Sequence, residues 1–154
     1  ATGGAGSIDN MAIGQSTPRA GAFSSLKSSD GLTCATYAPS GTPAATDAVF
    51  FVATRAYVVV SVSEVHSVAA GGASSLQVVK DTDTNAPGAG TDLLTNNTNA
   101  GFDLNGTANT VQTGTLTATL ATKTLAAGDR LSVDYANAIQ SSAGVTVTDC
   151  LAPQ

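Results

Sequence analysis

The sequence predicts an all-β chain: an antiparallel β-sandwich or jelly roll preceded by an extended, irregular N-terminal arm. Three observations carry this. Charged residues make up 11% of the 154 positions, against about 25% in an average soluble protein, and Ala, Thr, Ser, Gly and Val fill the gap. Short runs dense in Val and aromatic residues alternate with turn clusters of Gly, Asn and Pro. Apolar residues at a helical period, with caps, are almost absent.

Residues 1–7 are Gly and small polar residues, too poor in apolar groups to offset the entropy of ordering. Residues 8–26 carry Ile8, Met11, Ile13, Phe23 and Leu26 in neither a helical nor a strand period, with Gly14, Pro18 and Gly21 as breaks. Between Ser28 and Thr46, Gly31, Pro39, Gly41 and Pro43 mark a connector with a short strand at Leu32 to Tyr37. The chain thus divides into an arm and connector, 1–45, and a sandwich body, 46–154.

In the body, "AVFFVAT" (48–54) and "AYVVVSVSEVHSVAA" (56–70) read as strands, with Val58, Val60 and Val62 facing one way and Ser61 and Ser63 the other. Gly71 and Gly72 make a turn before "SLQVVKD" (75–81), and Pro87, Gly88 and Gly90 shape the following loop. In "TANTVQTGTLTATLATKTL" (107–125), Leu116, Ala118 and Leu120 alternate with threonines, which predicts another strand. "RLSVDY" (130–135) and "GVTVTDC" (144–150) complete the sheets, and one helical turn is expected at 136–141.

Composition excludes several function classes. The net charge of −5 comes from scattered aspartates and the single Glu64, and the six Lys and Arg form no basic stripe that could displace counterions from phosphates, so nucleic acid is excluded as a partner. Apolar runs such as Ala56 to Val60 are far short of the ~20 residues of a spanning helix, so no membrane is expected. Nor does a basic region followed by an apolar stretch open the sequence, and no secretion leader is expected.

Candidate chemistry is sparse. Glu64 and the only histidine, His66, share a strand face because side chains at i and i+2 point the same way. Metal sites gather three or more ligands and a triad needs a positioned nucleophile, so the expected role is a polar patch where a strand emerges into solvent. Asp81, Asp83 and Asp92 fall in one loop, a grouping that suits calcium, but the spacing lacks the Gly and Glu of an EF-hand; a solvated loop is expected. Gly128 precedes a strand without a Lys-Ser/Thr and reads as a tight turn, not a phosphate loop. The two Asn-x-Thr matches at Asn96 and Asn105 are expected by chance in so Asn- and Thr-rich a sequence. Cys34 and Cys150 fit neither a CxxC pair nor a metal spacing. They could bridge if the ends of the body meet; two partly buried free thiols in a reducing cytosol are expected instead. No catalytic residue, metal site or cofactor is predicted.

The arm is the most specific feature. It reads Ile8-Asp9-Asn10, two residues, Ile13-Gly14, two residues, Thr17-Pro18, two residues, Gly21, one residue, Phe23, and then Leu26. This spacing resembles a segment that recurs in trimeric structural proteins of tailed bacteriophages: capsid decoration (cement) proteins, head fibres and tail fibres. The resemblance implies a short interwound stem in which Ile8, Asp9, Asn10, Ile13, Gly14, Pro18, Phe23 and Leu26 contact sister chains or capsid. The body is similar to the exposed modules of such proteins only through its small-residue-rich strands and its "LAAGDRLSV…GVTVT" ending. Physical reasoning agrees, since an irregular apolar segment is ordered only where another surface covers it, and threefold closure supplies that surface three times.

The expectation is therefore a non-enzymatic virion protein, assembled in the host cytoplasm and displayed on the capsid exterior. Its implied partners are two further copies of itself and the major capsid protein. The length suits a cement protein better than a receptor-binding fibre, which needs a long shaft. The alternative is a head fibre, collar or tail fibre module that binds host surface glycan.

Overall fold

The computed structural model describes residues 31–40, 46–96, 101–137 and 141–154. The strands are β1 (Thr33–Tyr37), β2 (Ala48–Val52), β3 (Tyr57–Val65), β4 (Ser75–Asp81), β5 (Thr91–Asp92), β6 (Phe102–Asp103), β7 (Gln112–Thr113), β8 (Thr124–Leu125), β9 (Arg130–Ala136) and β10 (Thr146–Pro153), with one short helix, α1 (Leu120–Lys123). All pairings are antiparallel. The first sheet runs β1-β10-β3-β7, with β8 also on β3; the second runs β2-β9-β4-β5, with β6 also on β4. The all-β antiparallel sandwich expected from the alternating Val and Thr runs is the observed architecture.

Between the sheets lies one core, in which Leu76, Phe102, Leu125, Leu131, Val133 and Leu151 are fully buried. On β10, Val147, Asp149 and Leu151 point inward while Thr146, Thr148 and Cys150 are only partly covered, the alternation of a strand with one face on a core. β3 departs from that rule. Cys150 pairs with Ser61 and Leu151 with Val59, so Val60 is an extra residue, a β-bulge. Val59 and Val62 are therefore buried and Val60 is exposed, which corrects the single face expected for Val58, Val60 and Val62. A second bulge at Phe50, between Val49 opposite Ser132 and Phe51 opposite Leu131, lets both phenylalanines pack against the core. Phe50 meets Tyr37 at 6.1 Å and Phe51 meets Tyr57 edge-on at 5.7 Å.

The strand expected over 107–125 forms only as the two-residue pieces β7 and β8, with α1 between them. Gly114 N–H donates to Val62 of the first sheet, while Thr115 O accepts from Thr95 and Thr117 N–H donates to Leu93 beside the second. The segment crosses from one sheet to the other, so its alternating residues never line a common face. It then turns into α1, whose end is held by Lys80 Nζ donating to the carbonyls of Ala121 and Thr124. Of the helical turn expected at 136–141, residues 138–140 lie outside the described residues, and the rest is not helical: Ala136 ends β9, and Asn137 and Ser141 both have φ 67. Gly128 is the turn expected, at φ +96.

The strand foreseen in the connector belongs to the body. All five residues of β1 pair with β10, and Cys34 lies directly opposite Cys150. Their Cα atoms are 4.1 Å apart and the two are joined by a disulfide across 116 residues of sequence. The free thiols expected from the spacing are thus corrected: the spacing is long, but antiparallel pairing makes the two residues cross-strand neighbours. Reduction, or replacement of both cysteines by Ser, should lower unfolding stability by about 2–5 kcal/mol. Urea unfolding with and without reductant measures this.

Candidate functional site

The arm residues Ile8, Asp9, Asn10, Ile13, Gly14, Pro18, Phe23 and Leu26 lie outside the described residues. Within them, polar chemistry collects in three places.

The first is at the inner end of β3. Because of the bulge at Val60, Glu64 and His66 face inward, and they are 1% and 0% exposed. This corrects the expected solvent patch. His66 Nδ1 lies 3.1 Å from Glu64 Oε1 and Nε2 lies 3.2 Å from the Gly106 carbonyl. Both ring nitrogens thus face acceptors. Burial raises the Glu64 pKa above the usual carboxylate range, while the His66 contact and the Gln112 hydrogen bond oppose it. Gln112 Nε2 donates to Glu64 Oε2 (2.7 Å) and to the Asp103 carbonyl (2.8 Å), and its Oε1 accepts from Asp103 N–H (3.1 Å). The His66 carbonyl accepts from Asn109 N–H at 2.7 Å. Three of these bonds, His66 to Gly106, Gln112 to Glu64 and Asn109 to His66, tie the 103–112 segment to the end of β3, so the cluster works as a clasp.

The second lies on the outer face of the second sheet, under the loop 82–90. Gln77, Val79 and Asp81 of β4 alternate outward with Ser132 and Asp134 of β9 opposite them, and the loop covers Val79, Asp81 and Ser132 completely. Ser132 Oγ donates to Asp81 Oδ2 (2.6 Å) and accepts from Gly88 N–H (2.9 Å). Gly88 has φ +78, and a Cβ there would sit 2.9 Å from Asp47 Oδ2, so the residue type is set by the close approach. Asp47 Oδ1 accepts from Tyr135 N–H at 3.0 Å. Burial, and then the charges of Asp47, Asp92 and Asp81, raise the pKa of Asp134. The structure thus joins Asp81 and Asp92 to Asp47 and Asp134, two residues the loop spacing did not reveal. Asp83, the third member of the expected trio, turns away at φ 51 and offers its carbonyl to Arg130. Among the described residues no three His, Cys, Asp or Glu side chains are disposed to hold a metal ion.

The third is a single side chain. Asp149, inward on β10, is 0% exposed, and neither carboxyl oxygen has a hydrogen-bond partner among the described residues. Sequence signal for it existed: Val145, Val147, Asp149 and Leu151 share one parity, and ending the strand at Cys150 hid it.

The surface also carries an open groove of about 700 Å³, lined by Ala56, Leu120, Ala121, Leu125 and Ala126, with Lys80 and Asp129 at its polar margin. No helix among the described residues is long and apolar enough to cross a membrane. No family model, curated protein or solved structure matches the chain.

Two outcomes follow from this geometry. Replacing His66 by Ala strands a buried carboxyl and should cost about 3–5 kcal/mol, read from thermal or urea unfolding. Asp134→Asn should raise the melting temperature at about pH 7, where the native aspartate is charged among neighbouring aspartates, and leave it nearly unchanged at about pH 3, where Asp134 is protonated. The sign follows from a folded pKa raised above the unfolded one, which destabilises as pH rises.

Proposed function

We propose that this chain is a structural protein of a tailed-bacteriophage virion: a trimeric capsid decoration (cement) protein that grips the outer capsid through its N-terminal arm and stabilises contacts between capsomers. One observation carries the reading, the arm spacing Ile8-Asp9-Asn10, Ile13-Gly14, Thr17-Pro18, Gly21, Phe23. Features of the body support it. The strand order β1-β10-β3-β7 facing β2-β9-β4-β5 favours the jelly-roll reading, a fold built from two four-stranded sheets of this kind. The Cys34–Cys150 disulfide has Cys34 at the surface, and such bonds persist on virion and cell surfaces. The Glu64–His66 pair is spent on internal hydrogen bonds, which favours a non-enzymatic role.

A glycan-binding fibre module would be favoured by a groove lined with Asn, Asp and aromatic residues. The groove described above has Leu and Ala walls, so the cement reading is preferred.

Light scattering should report about three times the 15.1 kDa chain mass. Deleting residues 1–27 should release the protein from capsids in co-sedimentation, while the sandwich, which has its own core, keeps a cooperative melt. Ala at Ile8, Ile13 or Phe23 should weaken capsid binding by about 2–5 kcal/mol per well-packed site. A clean monomer, alone and with capsid, or undiminished binding by the truncation, would remove the arm from this role.

A further inference from the structure

Asp149 has no place in the clasp, the aspartate cluster or the groove, yet its position is costly. It pairs with Ala35 of β1 on one side and Val62 of β3 on the other, and its carboxyl group enters the apolar core with both oxygens unpartnered among the described residues. Facing inward on the elements around it are the ionisable groups Tyr37 on β1, Tyr57 and Glu64 on β3, Lys80 on β4 and Tyr135 on β9, while Asp81 on β4 and Arg130 and Asp134 on β9 alternate to the opposite face. None bonds to it: Glu64 is held by His66 and Gln112, Lys80 by two backbone carbonyls near α1, and Tyr135 by Tyr37. A carboxylate with no hydrogen-bond partner or countercharge among the described residues is far less tolerable in such a setting than a neutral acid.

We propose that Asp149 is a proton-operated latch on the first sheet: β10 stays packed between β1 and β3 while the side chain is a neutral acid, and any opening that brings water to it releases one proton and becomes more frequent as pH rises. This rests on the body alone and is independent of the virion reading.

Burial pushes the Asp149 carboxyl from 3.8 up to about 8, which sets the window. The folded value lies above the unfolded one, so between about pH 4 and pH 8 the folded state keeps a proton that the unfolded state has lost. Stability therefore falls with rising pH across that window and levels off above it. Glu64 contributes in the same direction, so the comparison that isolates Asp149 is between wild type and a variant.

Urea unfolding of the full chain from about pH 5 to pH 7.5 should show the folded-to-unfolded ratio of wild type falling tenfold more per pH unit than that of Asp149→Asn, the linkage of one proton. Equal slopes would overturn the latch. Should Asp149→Asn fail to fold, the carbon-13 resonance of the Asp149 carboxyl in the native wild-type protein decides. A midpoint in the neutral-to-alkaline range sustains the proposal, and one in the ordinary range for aspartate overturns it.

Discussion

The extra residue at Val60 sets the face of everything that follows it on β3. Upstream, Tyr57 and Val59 point into the sandwich; downstream, Val62, Glu64 and His66 do. Without the bulge the strand would keep the parity of Tyr57 and Val59, Val62 and Glu64 would turn to solvent, and the core would lose a valine opposite Asp149. The bulge also explains why the one glutamate and the one histidine of the chain end inside it. Once there they need partners, and the 103–112 segment, through Gln112, Gly106 and Asn109, supplies them. A local irregularity in one strand therefore dictates the course of a connection distant in sequence.

The buried polar groups meet the constraint of desolvation in three different ways. Glu64 and His66 bond to each other and to neighbouring backbone and Gln112. Asp81 is half satisfied, with Oδ2 on Ser132 and Oδ1 without a partner, on a face roofed by a loop whose glycines allow the close approach. Asp149 receives nothing. This gradient runs from a fully bonded pair to a carboxyl orphaned among the described residues.

What the sequence revealed follows the physics of each signal. β2, β3, β4, β9 and β10 were legible because Val, Ile and aromatic density is a property of a single strand packed on a core. The bulge at Val60 was not, since it exists only in the pairing of β3 with β10. For the same reason the disulfide was hidden: Cys34 and Cys150 are neighbours only in the register Thr33 opposite Leu151 through Tyr37 opposite Val147. The Thr/Leu alternation of 115–120 misled because alternation reports an extended backbone, not a ladder, and this stretch bonds across the sheets. Of the aspartate cluster, Asp81 and Asp92 were visible as one loop, whereas Asp47 and Asp134 join them through two further strands. The groups with the most unusual environments, Asp134 and Asp149, are ordinary letters in ordinary strands until the opposite face is known.

The place of the disulfide within β1 has a mechanical consequence. Among the described residues β1 is an edge strand, bonded on one side only, and Thr33 is its first residue. Tension applied at that residue would unzip such a strand one pair at a time, starting at Thr33 and Leu151. Cys34 is the next residue, so unzipping meets a covalent bond after a single step. The load then passes into β10, a strand flanked on both sides by partners, and must shear many hydrogen bonds together to move it. The bond thus sits where a pull on the N-terminal segment is transferred from an edge strand of the first sheet to one held on both sides.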